Sequence, residues 1–220
     1  MEQSERMKEV TCRQSNKALT KSGQKVKEIA FVGLLGAASA VLMLFRFPIP
    51  FLPPFLSFDL SGLMEMMGGF MFGPAAAFCI IIVKILLQLV MQGSFSFGTG
   101  ELQSLILICT YVIPAVILYQ RRKTKKMAAT GMVFSTILVS VVAVLTNLYL
   151  IIPFYASLSG MTMADFVAMC TAVNPAVKSA ASMVLLGILP FNLIKYTTTS
   201  VLTFFLYKRL SVFIKRAISQ

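Results

Sequence analysis

Long apolar stretches separated by short polar breaks fill the chain from about residue 28 to residue 207. The stretches are continuous and do not alternate residue by residue. They therefore predict membrane-spanning helices, since barrel strands would be short and of period two. Six spans follow, at roughly 28–47, 59–72, 74–92, 101–120, 130–152 and 181–207. A full crossing needs about 20 residues. The second stretch is shorter than that, so it is expected to be tilted, broken or partly buried by its neighbours. Between the first two spans lies a proline-rich loop, Pro48 to Phe58. A loop rich in glycine, serine and phenylalanine runs from Gly93 to Gly100. The long connection before the last span carries Asp165 and Lys178, and a short helix is expected around Met161 to Cys170. The first span follows a polar tail and has no small-residue cleavage site, which argues against a removable signal peptide.

Composition strengthens the membrane reading. Hydrophobic residues make up 57% of the chain and charged residues 13%, with a mean hydropathy of +0.83. A soluble domain of this size cannot cover that much apolar surface. The expected fold is an all-α integral membrane protein of six helices. One membrane domain over 28–207 sits between basic tails at 1–27 and 208–220.

Charge then sets the orientation. The first tail holds Arg6, Lys8, Arg13, Lys17, Lys21, Lys25 and Lys27. The connection after the fourth span holds Arg121, Arg122, Lys123, Lys125 and Lys126, and the last tail holds Lys208, Arg209, Lys215 and Arg216. Six crossings put all three segments on one side, which the positive-inside rule makes cytoplasmic. The net charge of +12 is thus a topology signal and not a sign of nucleic-acid binding.

Several chemistries find no support. The chain has no histidine, which removes Ser/His and Cys/His nucleophile systems and the commonest metal ligand. No phosphate-binding loop of the Walker type is present. Phe97-Gly98-Thr99-Gly100 does not follow a strand and is no dinucleotide fingerprint. Cys12, Cys79, Cys109 and Cys170 lack metal-type spacing and read as small packing residues. The expectation is a protein with no catalytic residue, no metal and no cofactor.

The polar residues inside spans are the candidates for function, because polarity at membrane depth is costly. Asn192 and Lys195 share a helix face, just after Pro190. Pro190 cannot donate a backbone hydrogen bond, so it frees the carbonyl of Leu186 and favours a kink. Lys84 lies on one face with Gln88, and Gln92 follows a turn later. Glu65 is the expected partner of Lys84, in a pair that is either structural or ligand-binding. Asn147 in the fifth span is read as interhelical glue or as a ligand contact. Glu101 opens the fourth span, either as a partner of the helix dipole or as a site carboxylate. Arg46 is expected to snorkel to the interface, and Lys178 falls in a loop. Gly33, Gly36, Ala37 and Ala40 form small-residue patterns that permit close helix approach, internally or toward a partner subunit.

The run Phe47-Pro48-Ile49-Pro50-Phe51-Leu52-Pro53-Pro54-Phe55-Leu56 resembles the first outer loop of the riboflavin-specific substrate-binding subunits of energy-coupling factor (ECF) transporters. Gly68-Gly69-Phe70 with Gly73-Pro74, Gly100-Glu101-Leu102, Asn147 ahead of Ile152-Pro153-Phe154-Tyr155, and Leu189 to Lys195 are similar too. The resemblance covers roughly 28–210. It implies a bacterial multi-pass membrane protein that captures riboflavin from outside. Delivery would run through a transmembrane coupling protein and two cytoplasmic ATPases. The family's Ala-xxx-Ala docking motif matches Gly33 and Ala37, where glycine keeps the face small.

Riboflavin has a flat ring with an apolar end, a pyrimidine edge and a hydroxylated chain. An amide such as that of Asn192 can pair both donor and acceptor on the pyrimidine edge, and Lys195 can donate to a carbonyl. Asn147, Glu101 and Lys84 are further expected ligand contacts. Phe51, Leu52 and Phe58 of the proline loop are expected to cover the ring. Few cations lie on the outer side, which favours riboflavin over its phosphorylated form. A binding subunit for another vitamin, a stand-alone carrier, and a membrane enzyme or assembly factor remain alternatives.

Overall fold

The computed structural model describes residues 2–49, 56–94 and 98–219, with side chains over 23–49, 56–94 and 98–207. Nearly all of it is helical. Helix α1 runs Glu2–Leu44, α2 Gly62–Phe72, α3 Pro74–Gln92, α4 Thr99–Arg122 and α5 Lys125–Thr146. Then come α6 Ile152–Ser159, α7 Met163–Val173, α8 Ala180–Met183 and α9 Leu189–Ser219. Two five-residue π-helical segments interrupt the series, Asn147–Ile151 between α5 and α6 and Val184–Ile188 between α8 and α9.

Five helical stretches are long and apolar enough to cross a membrane. Of the six expected spans, α2 is the exception. Its 11 residues span about 16 Å at 1.5 Å per residue, well short of a bilayer core of about 30 Å. It is also the most deeply packed element, with Met66, Met67 and Phe70 buried together with Gly68 and Gly69. A Cβ on Gly69 would lie 2.4 Å from Val116 Cγ2 and 3.0 Å from Ala77 Cβ, so glycine lets α2 sit between α3 and α4.

The first helix is longer than its apolar stretch. It extends back through the basic tail, and 23–44 is its membrane-compatible part. After α1 the chain makes a two-residue antiparallel ladder, β1 Phe47–Pro48 with β2 Ser57–Phe58. Phe47 pairs with Phe58 and Pro48 with Ser57. The ladder holds the two ends of the proline loop together, and the chain re-enters the bundle at Asp59.

Both π-helical segments stand directly before Xaa-Pro-Phe: Ile152-Pro153-Phe154 and Leu189-Pro190-Phe191. Proline lacks the amide hydrogen and crowds the carbonyl one turn back. The wider π turn takes up that conflict without ending the helix, a feature often found at functional sites. Thr162 caps α7, with its backbone N–H 2.6 Å from Asp165 Oδ2 and its hydroxyl 2.8 Å away. These bonds hold the Asp165 carboxyl below the usual carboxylate range. The Cys79, Cys109 and Cys170 thiols are free, and Cys170 is buried as a packing residue.

Candidate ligand-binding site

A cavity of about 520 Å³ opens among α3, α4, α6, α7, α9 and the segment around Asp59. Small-molecule sites typically measure about 300–1,000 Å³. It lies at the end of the bundle where α1 and α3 finish and α4 begins. The Arg121–Lys126 turn closes the opposite end of α4.

The two asparagines anticipated from the sequence both line it. Each is tied back to its own helix. Asn192 Nδ2 donates to the Ile188 carbonyl at 2.8 Å, and Asn147 Nδ2 donates to the Ala143 carbonyl at 2.7 Å. Asn192 thereby adds a side-chain donor to the carbonyl at the end of a π segment. One N–H and the carboxamide oxygen remain on each side chain, a donor and an acceptor for a ligand edge.

Lys195 also lines the cavity, and its counter-ion comes from far along the chain. Its Nζ lies 2.6 Å from Asp59 Oδ2. Asp59 Oδ1 in turn accepts from the Ser61 backbone N–H at 3.0 Å and from the Ser61 hydroxyl. The ammonium stands 5.9 Å from the centroid of the Phe191 ring and 6.0 Å from that of Tyr196, at the edge of cation–π range.

Lys84 does pair with Glu65, at 3.0 Å, with both side chains almost wholly buried. The Ser39 hydroxyl donates to the same Glu65 oxygen at 2.9 Å. Lys84 reaches the cavity wall, whereas Glu65 stands behind it. The pair thus ties α1, α2 and α3 together beneath the cavity floor.

Glu101 is buried in the first turn of α4 and lines the cavity. Its Oε2 accepts from the Ser94 hydroxyl at 3.0 Å, and Ser94 Oγ accepts from the Gly98 N–H at 2.7 Å. The carboxylate thus sits at the helix dipole and faces the cavity at once. Phe58 does not line the cavity. It is buried against Phe47, ring centroids 5.4 Å apart, and Leu56 and Ser57 face the cavity instead. Strand pairing explains why Ser57 faces the cavity and Phe58 does not, since the two residues of β2 point to opposite faces. Phe51 and Leu52 lie outside the described residues.

The small residues of α1 divide into two faces. Gly36 and Ala40 are buried, and a Cβ on Gly36 would lie 2.6 Å from Val83 Cγ1 of α3. Gly36 therefore serves internal packing. Gly33 and Ala37 are only half-buried, and a Cβ on Gly33 would meet nothing within 4 Å.

Asp59, Gln103 and Tyr196 also line the cavity and were not among the anticipated site residues. Asp59 had a signal available. Only eight acidic residues occur, and four of them lie at or before residue 28. With Glu65 assigned to Lys84, Asp59 and Glu101 were the remaining choices near a membrane lysine.

A helical bundle with a cavity walled by amides, paired charges and aromatic rings is a membrane-embedded solute-binding protein. Residues 27–207 match the family described as "ECF transporter, substrate-specific component". The chain is 30% identical over 195 residues to riboflavin transporter RibU of Staphylococcus aureus (strain TCH60), covering 88% of this chain and 95% of that protein. It is 28% identical over 194 residues to riboflavin transporter FmnP of Bacillus subtilis (strain 168), covering 87% and 96%. A solved structure described as the S component of a bacterial ECF transporter superposes with a TM-score of 0.69 at 28% identity, covering 87% of this chain and 99% of that one. This chain belongs to the ECF transporter substrate-specific components. Its relatives are transport proteins and not enzymes.

Proposed function

We propose that this protein is the riboflavin-binding membrane subunit of an ECF-type transporter, with six crossings and both termini in the cytoplasm. It takes riboflavin from the outer side and passes it on with a transmembrane coupling protein and two cytoplasmic ATPases. The observation that carries this reading is the gathering of Asn147, Asn192 and Lys195 around one cavity. They come from two separate spans, and the relatives with the same overall chain are riboflavin transporters.

The chemistry supports the ligand. The free N–H and oxygen of each asparagine complement the alternating carbonyls and N–H of a pyrimidine edge, and Lys195 adds a donor. Tyr155, Phe166, Phe191 and Tyr196 supply ring surface. Charge gives little to attract a phosphate ester: Lys84 and Lys195 are already paired with carboxylates, and the one further lining cation among the described residues, Arg46, is offset in count by Glu101. Orientation is supported by the basic α4–α5 turn at the far end from the cavity. In this reading α2 makes the sixth crossing together with the segment that leads into it.

Titration of the detergent-solubilised protein with riboflavin tests the proposal. The expected result is saturable quenching of flavin fluorescence at one ligand per chain. The protein has no tryptophan, so the flavin itself is the reporter. A flat titration with a flat calorimetric trace would overturn it.

A further inference from the structure

The cavity has two unlike walls. The α6, α7 and α9 side is aromatic, with Tyr155, Phe166, Phe191 and Tyr196. Among the described residues of α3 and α4, no aromatic side chain lines it. That side presents Gln88, Gln103, Ser104 and Glu101 instead.

Three buried amide atoms on this second wall, Gln88 Oε1 and both Oε1 and Nε2 of Gln103, have no hydrogen-bond partner among the described residues. Gln88 itself is only 7% exposed. Buried polar atoms without partners are uncommon and costly, and each calls for an account. The other amides of the cavity differ, because Asn147 and Asn192 are both tied back to helix carbonyls. The glutamine wall therefore holds a second set of open hydrogen-bonding groups, apart from those left on Asn147 and Asn192.

The unmet groups are acceptors and a donor side by side. Turning a glutamine amide exchanges oxygen for nitrogen and leaves the same mixture. A hydroxyl donates and accepts through one oxygen, so a chain of hydroxyls satisfies this wall in either orientation. A flat ring gains more from the aromatic wall. We propose that Gln88 and Gln103 form a polyol subsite, taking the ribityl hydroxyls while the flavin ring lies against the α9 side. This rests on the riboflavin reading and adds the direction in which the ligand lies.

The test compares two ligands on the full chain in detergent. Lumiflavin keeps the ring system and carries a methyl group in place of the ribityl chain. Dissociation constants for both are measured by flavin fluorescence on the parent and on Gln88→Met and Gln103→Met. The parent should prefer riboflavin. Each variant should lose about tenfold in riboflavin affinity, the scale of one hydrogen bond to a buried group, and hold lumiflavin nearly unchanged. Equal weakening for both ligands would overturn the subsite, by showing a ring contact or a general distortion. Unchanged riboflavin affinity would overturn it as well. Lumiflavin binding also reports that a variant is folded. Failure of the parent to bind either flavin would instead remove the riboflavin reading on which the subsite rests.

Discussion

Lys195 and Asp59 meet at 2.6 Å although 136 residues separate them. The contact joins the last span to the point where the proline loop re-enters the bundle. Asp59 is fully engaged there, with one oxygen on Lys195 and the other on Ser61. Asp59→Asn should leave Lys195 without a counter-ion. The expected cost is about 2–3 kcal/mol, below the range for a wholly buried pair because Lys195 keeps some solvent contact. For a protein of this size that lowers the thermal midpoint by ~4–12 °C. Asp59→Asn combined with Lys195→Met should recover part of the loss, and no recovery would show that the two residues do not act as a pair.

Ligand affinity should respond most directly at α9. Asn192→Ala and Lys195→Ala are each expected to weaken riboflavin binding by roughly 1–3 kcal/mol, the cost of leaving a buried polar group of the ligand unpaired. Fluorescence titration of folded variants measures this. If both bind like the parent, riboflavin does not use this end of the cavity.

Lys84 provides the contrast. Its removal strands the Glu65 carboxylate in the core, and breaking such a pair costs roughly 3–5 kcal/mol. Lys84→Met should therefore lower the thermal midpoint more than it lowers ligand affinity in the folded fraction. Adding Glu65→Gln should restore much of the stability. Loss of affinity with an unchanged midpoint would make Lys84 chiefly a ligand contact.

Under the proposed function, the two faces of α1 are expected to separate docking from packing. Gly33→Leu should spare riboflavin binding by the isolated chain and abolish ATP-dependent uptake by the full complex, because a partner helix needs close approach to a small-residue face. Gly36→Leu should instead destabilise the chain by about 1–3 kcal/mol or more, since its side chain runs into Val83. Normal uptake by the Gly33 variant would place docking elsewhere. Loss of both activities would assign Gly33 to internal packing.

The apolar spans were legible because lipid demands long uninterrupted runs, and α3 begins and ends where its run does. The Lys84–Glu65 pair was legible because buried charges need partners and few acids were on offer. Asn147, Asn192, Lys195 and Glu101 were legible as cavity residues because polarity inside a span is rare. The Lys195 partner was not read, because it depends on how the β1–β2 ladder returns the chain to the bundle. The placement of Phe58 depends on that ladder too. The split between Gly33 and Gly36 required knowing which side of α1 meets α3, and a small-residue pattern carries no such direction. The π-helical segments left only the Xaa-Pro-Phe trace, which an ordinary proline kink would share.

The shortness of α2 has an electrical consequence. In the proposed six-crossing topology, a helix of about 16 Å covers only part of a bilayer core of about 30 Å, and the cavity makes up the remaining depth. Solvent in that cavity is a conductor beside the lipid, so the transmembrane voltage drops mainly across the layer that α2 fills. Lys195, Asp59 and Glu101 then sit close to the potential of the solution that the cavity faces. An uncharged ligand entering there crosses little of the field, and its capture is expected to be nearly indifferent to membrane voltage. Voltage can act instead on groups in the α2 layer, where Lys84 and Glu65 form a pair with no net charge.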